Sequence, residues 1–112
     1  MSKEVRDCLL SLVLDQWSYD QNANQFYTTE TGWISRGRLE EESRKAATGM
    51  YRNGILAGDR VLIFPDRSFE FIRIYLATLR LGAVAVMANP EYTDSEVTHL
   101  VALSKPTAFW TR

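Results

Sequence analysis

Between residues 60 and 111 the chain repeats one rhythm: a short apolar run, a longer helical stretch, then another short run. The runs are 60–64 (Arg-Val-Leu-Ile-Phe), 83–87 (Ala-Val-Ala-Val-Met) and 108–111 (Ala-Phe-Trp-Thr). Runs this short and this apolar, bounded by Gly58-Asp59, Pro65, Gly82 and Asn89-Pro90, read as strands buried on both faces. Helices between such strands require parallel pairing, and βαβ crossovers are right-handed. The expected fold class is therefore α/β: a three-layer, incomplete parallel βαβαβ sheet. A strand that closes the segment without a following helix leaves a sheet face or edge uncovered.

The two connecting helices differ. Residues 68–81 carry Phe69, Phe71, Ile72, Ile74, Tyr75, Leu76, Leu79 and Leu81, interrupted by Glu70, Arg73, Thr78 and Arg80. A helix apolar on most sides is expected to pack on more than one side. The second begins with the capping box Thr93-x-x-Glu96 and shows Val97, Leu100 and Val101 as its apolar face.

Upstream, 25–28 and 32–34 read as the strands of a β-hairpin. Thr29, Glu30, Thr31 and Gly32 form its turn, with Gly32 free to take positive φ. Ser35 is a good N-cap for a helix that sends Leu39, Ala46, Ala47 and Met50 inward and ends at Gly54. Its wet face is expected to comprise Glu40, Glu41, Glu42, Arg44 and Lys45. Residues 2–16 form a further helix capped by Ser2, with the stripe Val5, Cys8, Leu9, Leu12 and Val13, and 19–24 an irregular lead-in. The expected division is residues 1–23 as N-terminal helix and lead-in, and residues 24–112 as a truncated part of a larger α/β domain.

Charge and composition exclude more than they assign. Thirteen Lys and Arg balance 14 Asp and Glu, for a net charge of −1, so nothing draws the chain to nucleic acid or an anionic membrane. No apolar run approaches the roughly 20 residues of a membrane-spanning helix, and the N-terminus makes a poor secretory signal, so a cytoplasmic location is expected. Cys8 is the one cysteine; it sits in an apolar stripe without a partner His, as a structural thiol does.

The sequence lacks the phosphate, metal and acid–base motifs that such folds often host. There is no P-loop and no dinucleotide fingerprint, since Gly54 and Gly58 fit a helix stop and a turn. The single His, His99, is mid-helix without an oriented partner. Asp59 and Asp66 flank the first parallel strand without the paired acids and later Lys of a phospho-acceptor site. Trp17, Trp33 and Trp110 lack a basic stripe between them, so packing explains them better than base stacking.

Three stretches taken in order resemble the adenylate-forming (AMP-binding) superfamily of acyl- and aryl-CoA synthetases, luciferases and peptide-synthetase adenylation domains. Gly32-Trp33-Ile34-Ser35-Arg36-Gly37-Arg38-Leu39 is similar to its first core motif, Leu-(Thr/Ser)-Tyr-x-Glu-Leu, with Ser35 and Leu39 matching, Arg36 in place of Tyr and Arg38 in place of Glu. Gly54-Ile55-Leu56-Ala57-Gly58-Asp59-Arg60-Val61 resembles Gly-Val-x-x-Gly-Asp-Arg-Val. Pro65-Asp66-Arg67-Ser68, then Leu76-Ala77-Thr78-Leu79-Arg80-Leu81-Gly82-Ala83, then Asn89-Pro90, resemble the family's Pro-Asn/Asp-Arg-Ser, Leu-Ala-x-Leu-Lys-x-Gly-Ala and closing Asn/Asp-Pro. The likeness covers about residues 24–112.

The resemblance implies an ATP-dependent ligase that forms an acyl-adenylate and then a thioester, with ATP and Mg as requirements of the full-length parent. The family's ATP-gripping loop, ribose-holding Asp, adenine-side aromatic motif and catalytic Lys all lie far downstream. No catalytic, cofactor-binding or metal residue is therefore carried over, and this segment is expected to be a scaffold that is inactive alone. The implied partner is the remainder of the adenylating enzyme or a second chain. The alternative is a non-catalytic docking or assembly module, or one half of a split enzyme, including a homodimer through the open sheet edge.

Overall fold

A computed structural model describes residues 24–111; the expected helix at 2–16, with Cys8 and Trp17, lies outside the described residues. The chain opens with strands β1 (Asn24–Thr28) and β2 (Gly32–Ser35), paired antiparallel with Tyr27 opposite Trp33 and Thr28 opposite Gly32. Gly32 makes the turn at φ +76°, a conformation that costs a side-chain-bearing residue steric strain. Thr28 Oγ1 accepts from the Thr31 amide at 3.0 Å and closes the loop.

Ser35 then caps α1 (Arg36–Arg52), its side chain accepting from the Arg38 amide at 3.2 Å. Gly54, at φ +92°, follows the Asn53 C-cap and turns the chain out of the helix. Beyond it run β3 (Arg60–Ile63), α2 (Phe69–Arg80), β4 (Val84–Met87), α3 (Asp94–Ser104) and β5 (Ala108–Trp110). Both later helices start on hydroxyl caps: Thr93 accepts from the Glu96 amide, as its capping box predicts, and Ser68, expected as the first residue of its helix, stands just before it and accepts from the Phe71 amide.

The sheet has the order β4-β3-β5, and both pairings are parallel. The first crossover runs from β3 to β4 and the second returns past β3 to β5. Right-handed crossovers in opposite directions place their helices on opposite faces. Side-chain alternation agrees. Val61 and Ile63 pack with Met50, Phe71, Ile74 and Trp110 on the α1/α2 face. Leu62 points the other way and shares a groove with Val97 and Val101 of α3. The three layers are thus α1 with α2, the sheet, and α3.

α2 packs on more than one side, as its composition requires. Phe71 and Ile74 face the sheet. Phe69, Ile72 and Leu76 meet Ile34 of the hairpin and Leu39 of α1. Ala77, fully buried, meets Ala46 and Ala47, where small side chains let the two helices approach closely.

Glu40 does not join the expected wet face of α1: its carboxylate takes Arg80 of α2 at 3.4 Å and also Arg44, and the Glu40 and Arg80 side chains are only 12% and 10% exposed. The cause is tertiary. α2 crosses α1 so that Arg80 arrives over Glu40 and Ser43, where Arg80 Nε donates to the Ser43 hydroxyl at 3.0 Å. Glu41 and Lys45 do stay exposed, paired at 3.2 Å.

Candidate functional site

In open parallel sheets ligands gather outside the carboxyl ends of the strands, where successive crossovers diverge. With the order β4-β3-β5 that crevice lies at the ends of β3 and β5, which are tied by the Phe64 amide donating to the Trp110 carbonyl at 3.1 Å. The segment leaving β3 is Phe64-Pro65-Asp66-Arg67-Ser68. Asp66 Oδ1 accepts from the Ser68 amide at 2.7 Å and from the Ser68 hydroxyl, which itself caps α2. Beyond β4, Asn89 Oδ1 accepts from the Glu91 amide at 2.9 Å. These polar groups build their own turns, which is a structural use of both motifs.

The remaining chemical candidates are dispersed. Asp59 stands at the opposite end of β3, accepting from the Leu56 amide at 2.8 Å. His99 is exposed on α3, in an open hollow of about 400 Å³ with Tyr92, Ser95, Glu96, Leu100 and Leu103, and its ring has no hydrogen-bond partner among the described residues. Trp110 packs against Phe71, with ring centroids 6.3 Å apart. Trp33 is 62% exposed and meets the ring of Tyr27.

The described residues do not fit a nucleotide or a magnesium ion. No three His, Cys, Asp or Glu side chains cluster among them. The acid nearest the strand ends, Asp66, is committed to Ser68, and the loop after β3 has a proline and an aspartate where a phosphate cradle needs successive free amides. No described helix is long and apolar enough to cross a membrane.

Three arginines that pattern reading leaves unassigned turn out to hold the fold. Arg80 clamps α2 to α1. Arg38, which replaces the acidic residue of the first core motif, lays its guanidinium 4.9 Å from the centroid of Phe69. Arg60 reaches the carbonyl of Ser104, the last residue of α3, and its positive charge suits that helix end. The available signal was an arginine inside an otherwise apolar motif, as at Arg80. The contacts of Arg38 and Arg60 have no counterpart in local sequence.

Fold and strand ends together define a class: a doubly wound α/β layer whose turns after β3 and β4 are closed by Asp66 and Asn89. Residues 14–111 match the AMP-binding enzyme family, and the chain belongs to that family. It is 41% identical over 72 residues to 4-coumarate–CoA ligase CCL1 of Humulus lupulus, covering 64% of this chain and 13% of that protein. It is 34% identical over 76 residues to the salicyl-AMP ligase / salicyl-S-ArCP synthetase of Mycobacterium tuberculosis, covering 68% of this chain and 14% of that protein. A fatty acyl CoA synthetase of Mycobacterium tuberculosis superposes over 89% of this chain and 20% of its own, with TM-score 0.82 and 22% identity, a likeness of fold. The chain therefore spans about a seventh or less of the curated relatives it matches.

Proposed function

We propose that this chain is a scaffold segment of an enzyme that activates a carboxylic acid with ATP. In that reaction a carboxylate oxygen attacks the α-phosphorus of ATP, acyl-adenylate forms and pyrophosphate leaves. A thiol then attacks the acyl carbon and AMP departs. The observation carrying this reading is the family match over ordered turn motifs, each of which has a structural task here: Ser35 and Ser68 cap, Asp66 closes the turn after β3, and Arg80 joins α1 to α2. The two relatives name different acceptors, CoA and a carrier protein, so the thiol is a free cofactor or a carried arm.

The chain itself binds no nucleotide on this reading. ATP–pyrophosphate exchange with a panel of aryl and fatty acids is expected to stay at background for the 112 residues alone. Exchange well above background would overturn the scaffold assignment.

A second reading, a docking module or half of a split enzyme, is favoured by one observation. Leu103 and Phe109 are 69% and 70% exposed on adjoining elements, and β5 is a sheet edge. Light scattering separates the two. Self-association or a strand-paired dimer supports the second reading, and a folded monomer at all concentrations counts against it.

A further inference from the structure

Helix α1 ends on Asn53-Gly54, the one Asn-Gly step in the sequence. Asn53 is the C-cap, and Gly54 takes φ +92°, which a residue with a Cβ adopts only under strain. The Gly54 amide donates to the Tyr51 carbonyl at 3.0 Å and the Ile55 amide to that of Met50 at 3.1 Å, the two bonds of a Schellman motif. Met50 packs against the apolar cluster that holds buried Ile55, which seals the turn. The Asn53 side chain joins in, its Nδ2 donating to the Gly49 carbonyl at 2.7 Å.

The residues that end the helix so well are also chemically labile. Gly54 has no side chain to screen its backbone nitrogen from Asn53 Cγ, and joining those two atoms closes a five-membered ring. We infer that Asn53 is a site of spontaneous covalent modification, gated by opening of the C-terminal turn of α1. In this step the Gly54 amide nitrogen gives its proton to solvent base and attacks Asn53 Cγ. The Cγ–Nδ2 bond breaks, ammonia leaves with a proton from water, and a succinimide ring remains. Water then opens either carbonyl of the ring, giving aspartate or isoaspartate.

The closed turn resists this step in three ways. The Gly54 N–H is held on the Tyr51 carbonyl, and Nδ2 is held on that of Gly49. A ψ of 11° at Asn53 sets the Gly54 nitrogen over the backbone nitrogen of Asn53, not beside Cβ where ring closure needs it. The reaction therefore waits on local opening of the helix end. Asn53 is exposed, so solvent base is already at hand when the turn opens. The outcome is one-way. A carboxylate replaces a donor beside the Gly49 carbonyl and adds negative charge at the negative end of the helix dipole. Isoaspartate also inserts a carbon into the main chain, which breaks the spacing that brings Ile55 to Met50.

The test incubates the full 112-residue chain in mildly alkaline buffer, native and in denaturant. Intact mass follows replacement of –NH2 by –OH, and peptide mapping places it. Product at Asn53 is expected to form at least about tenfold faster in denaturant than in the native chain, since only the open fraction reacts. Asn89, followed by Pro90 with no N–H to attack, should stay unchanged in both. Ile55→Ala removes the apolar seal and leaves the reacting pair in place. It is expected to raise the native rate at least about threefold and to leave the denatured rate alone. Ile55→Val should fall between parent and alanine variant, and it keeps the comparison informative if the alanine chain unfolds. Equal native and denatured rates in the parent, no product at Asn53 in denaturant, or native rates in both Ile55 variants equal to the parent's would each overturn the inference.

Discussion

On the α1/α2 face of the parallel sheet, Val61 and Ile63 are 2% and 0% exposed, and the helices over them contribute buried residues of their own. On the opposite face α3 has no buried residue, although it is as well capped as α2. Val101 is 40% exposed, and an apolar groove of about 460 Å³ runs between α3 and the sheet. Both helices are crossovers between parallel strands, α2 between neighbours and α3 past the central strand, and both begin on a hydroxyl cap. The difference is the second partner. α2 is held by α1 and the hairpin as well as by the sheet, while α3 has the sheet and the arginine at its C-terminal end. Local capping starts a helix, and packing from several sides is what buries it.

The largest effect should come from breaking the closed face. Ile63→Ala is expected to lose about 2–5 kcal/mol, because a fully enclosed position collapses poorly around the cavity; denaturant unfolding followed by tryptophan fluorescence would measure it. A loss below that of a surface substitution would mean that the closed face is looser than its burial implies. Next is the clamp between the helices. Arg80→Met should cost about 1.5–3 kcal/mol, since it strips charged hydrogen bonds from the half-buried Glu40 and the buried Ser43. The double variant with Glu40→Gln should lose less than the sum of the two singles, the mark of a shared interaction.

The open face should answer weakly. Leu103→Ser is expected to stay within about 0.5 kcal/mol of the parent in the same unfolding experiment, and to lower any concentration-dependent association seen by light scattering. A cost comparable to that of Ile63→Ala would erase the contrast between the faces. The smallest effect belongs to the exposed face of α1. Hydrogen bonding and charge from Glu41, with further charge from Glu42, raise the Lys45 pKa above its ordinary value. A raised lysine favours the folded state below the unfolded pKa of about 10.4 and loses that contribution as pH climbs through the folded value. Lys45→Met should therefore leave the unfolding midpoint nearly unchanged at neutral pH, and what difference there is should vanish in strong alkali.

What was legible in the sequence was local. Ser35, Gly54, Ser68 and Thr93 specify helix ends through bonds to residues three or four positions away, so each element could be placed, and apolar runs between helices required a parallel sheet. What was not legible spans the chain. Glu40 looked like one acid among several on a solvated face, and only the crossing of α2, 40 residues on, makes it a partner of Arg80. Arg38 departs from its motif, and the ring of Phe69, 31 positions on, is what it packs over. The faces of β5 were ambiguous too: Trp110 turns toward Phe71 while Phe109 is left outside, a one-residue choice set by register against β3. The candidate site differed in kind. Asp66 and Asn89 have chemistry-bearing side chains, yet both are spent on turns, and for Asp66 the sequence offers no paired acid.

The strand order has a consequence for how the molecule comes into being. β3 is the middle of the sheet but the first of its strands to be synthesised, and its partner β5 ends 47 residues later, from Ile63 to Trp110. At ribosomal speeds of about 5–20 residues per second, one side of the central strand waits a few seconds for its neighbour to emerge. During that interval a nascent chain presents Val61, Leu62 and Ile63 with half their backbone pairing unmade, so the most protected strand of the finished fold is the one most in need of shelter during translation.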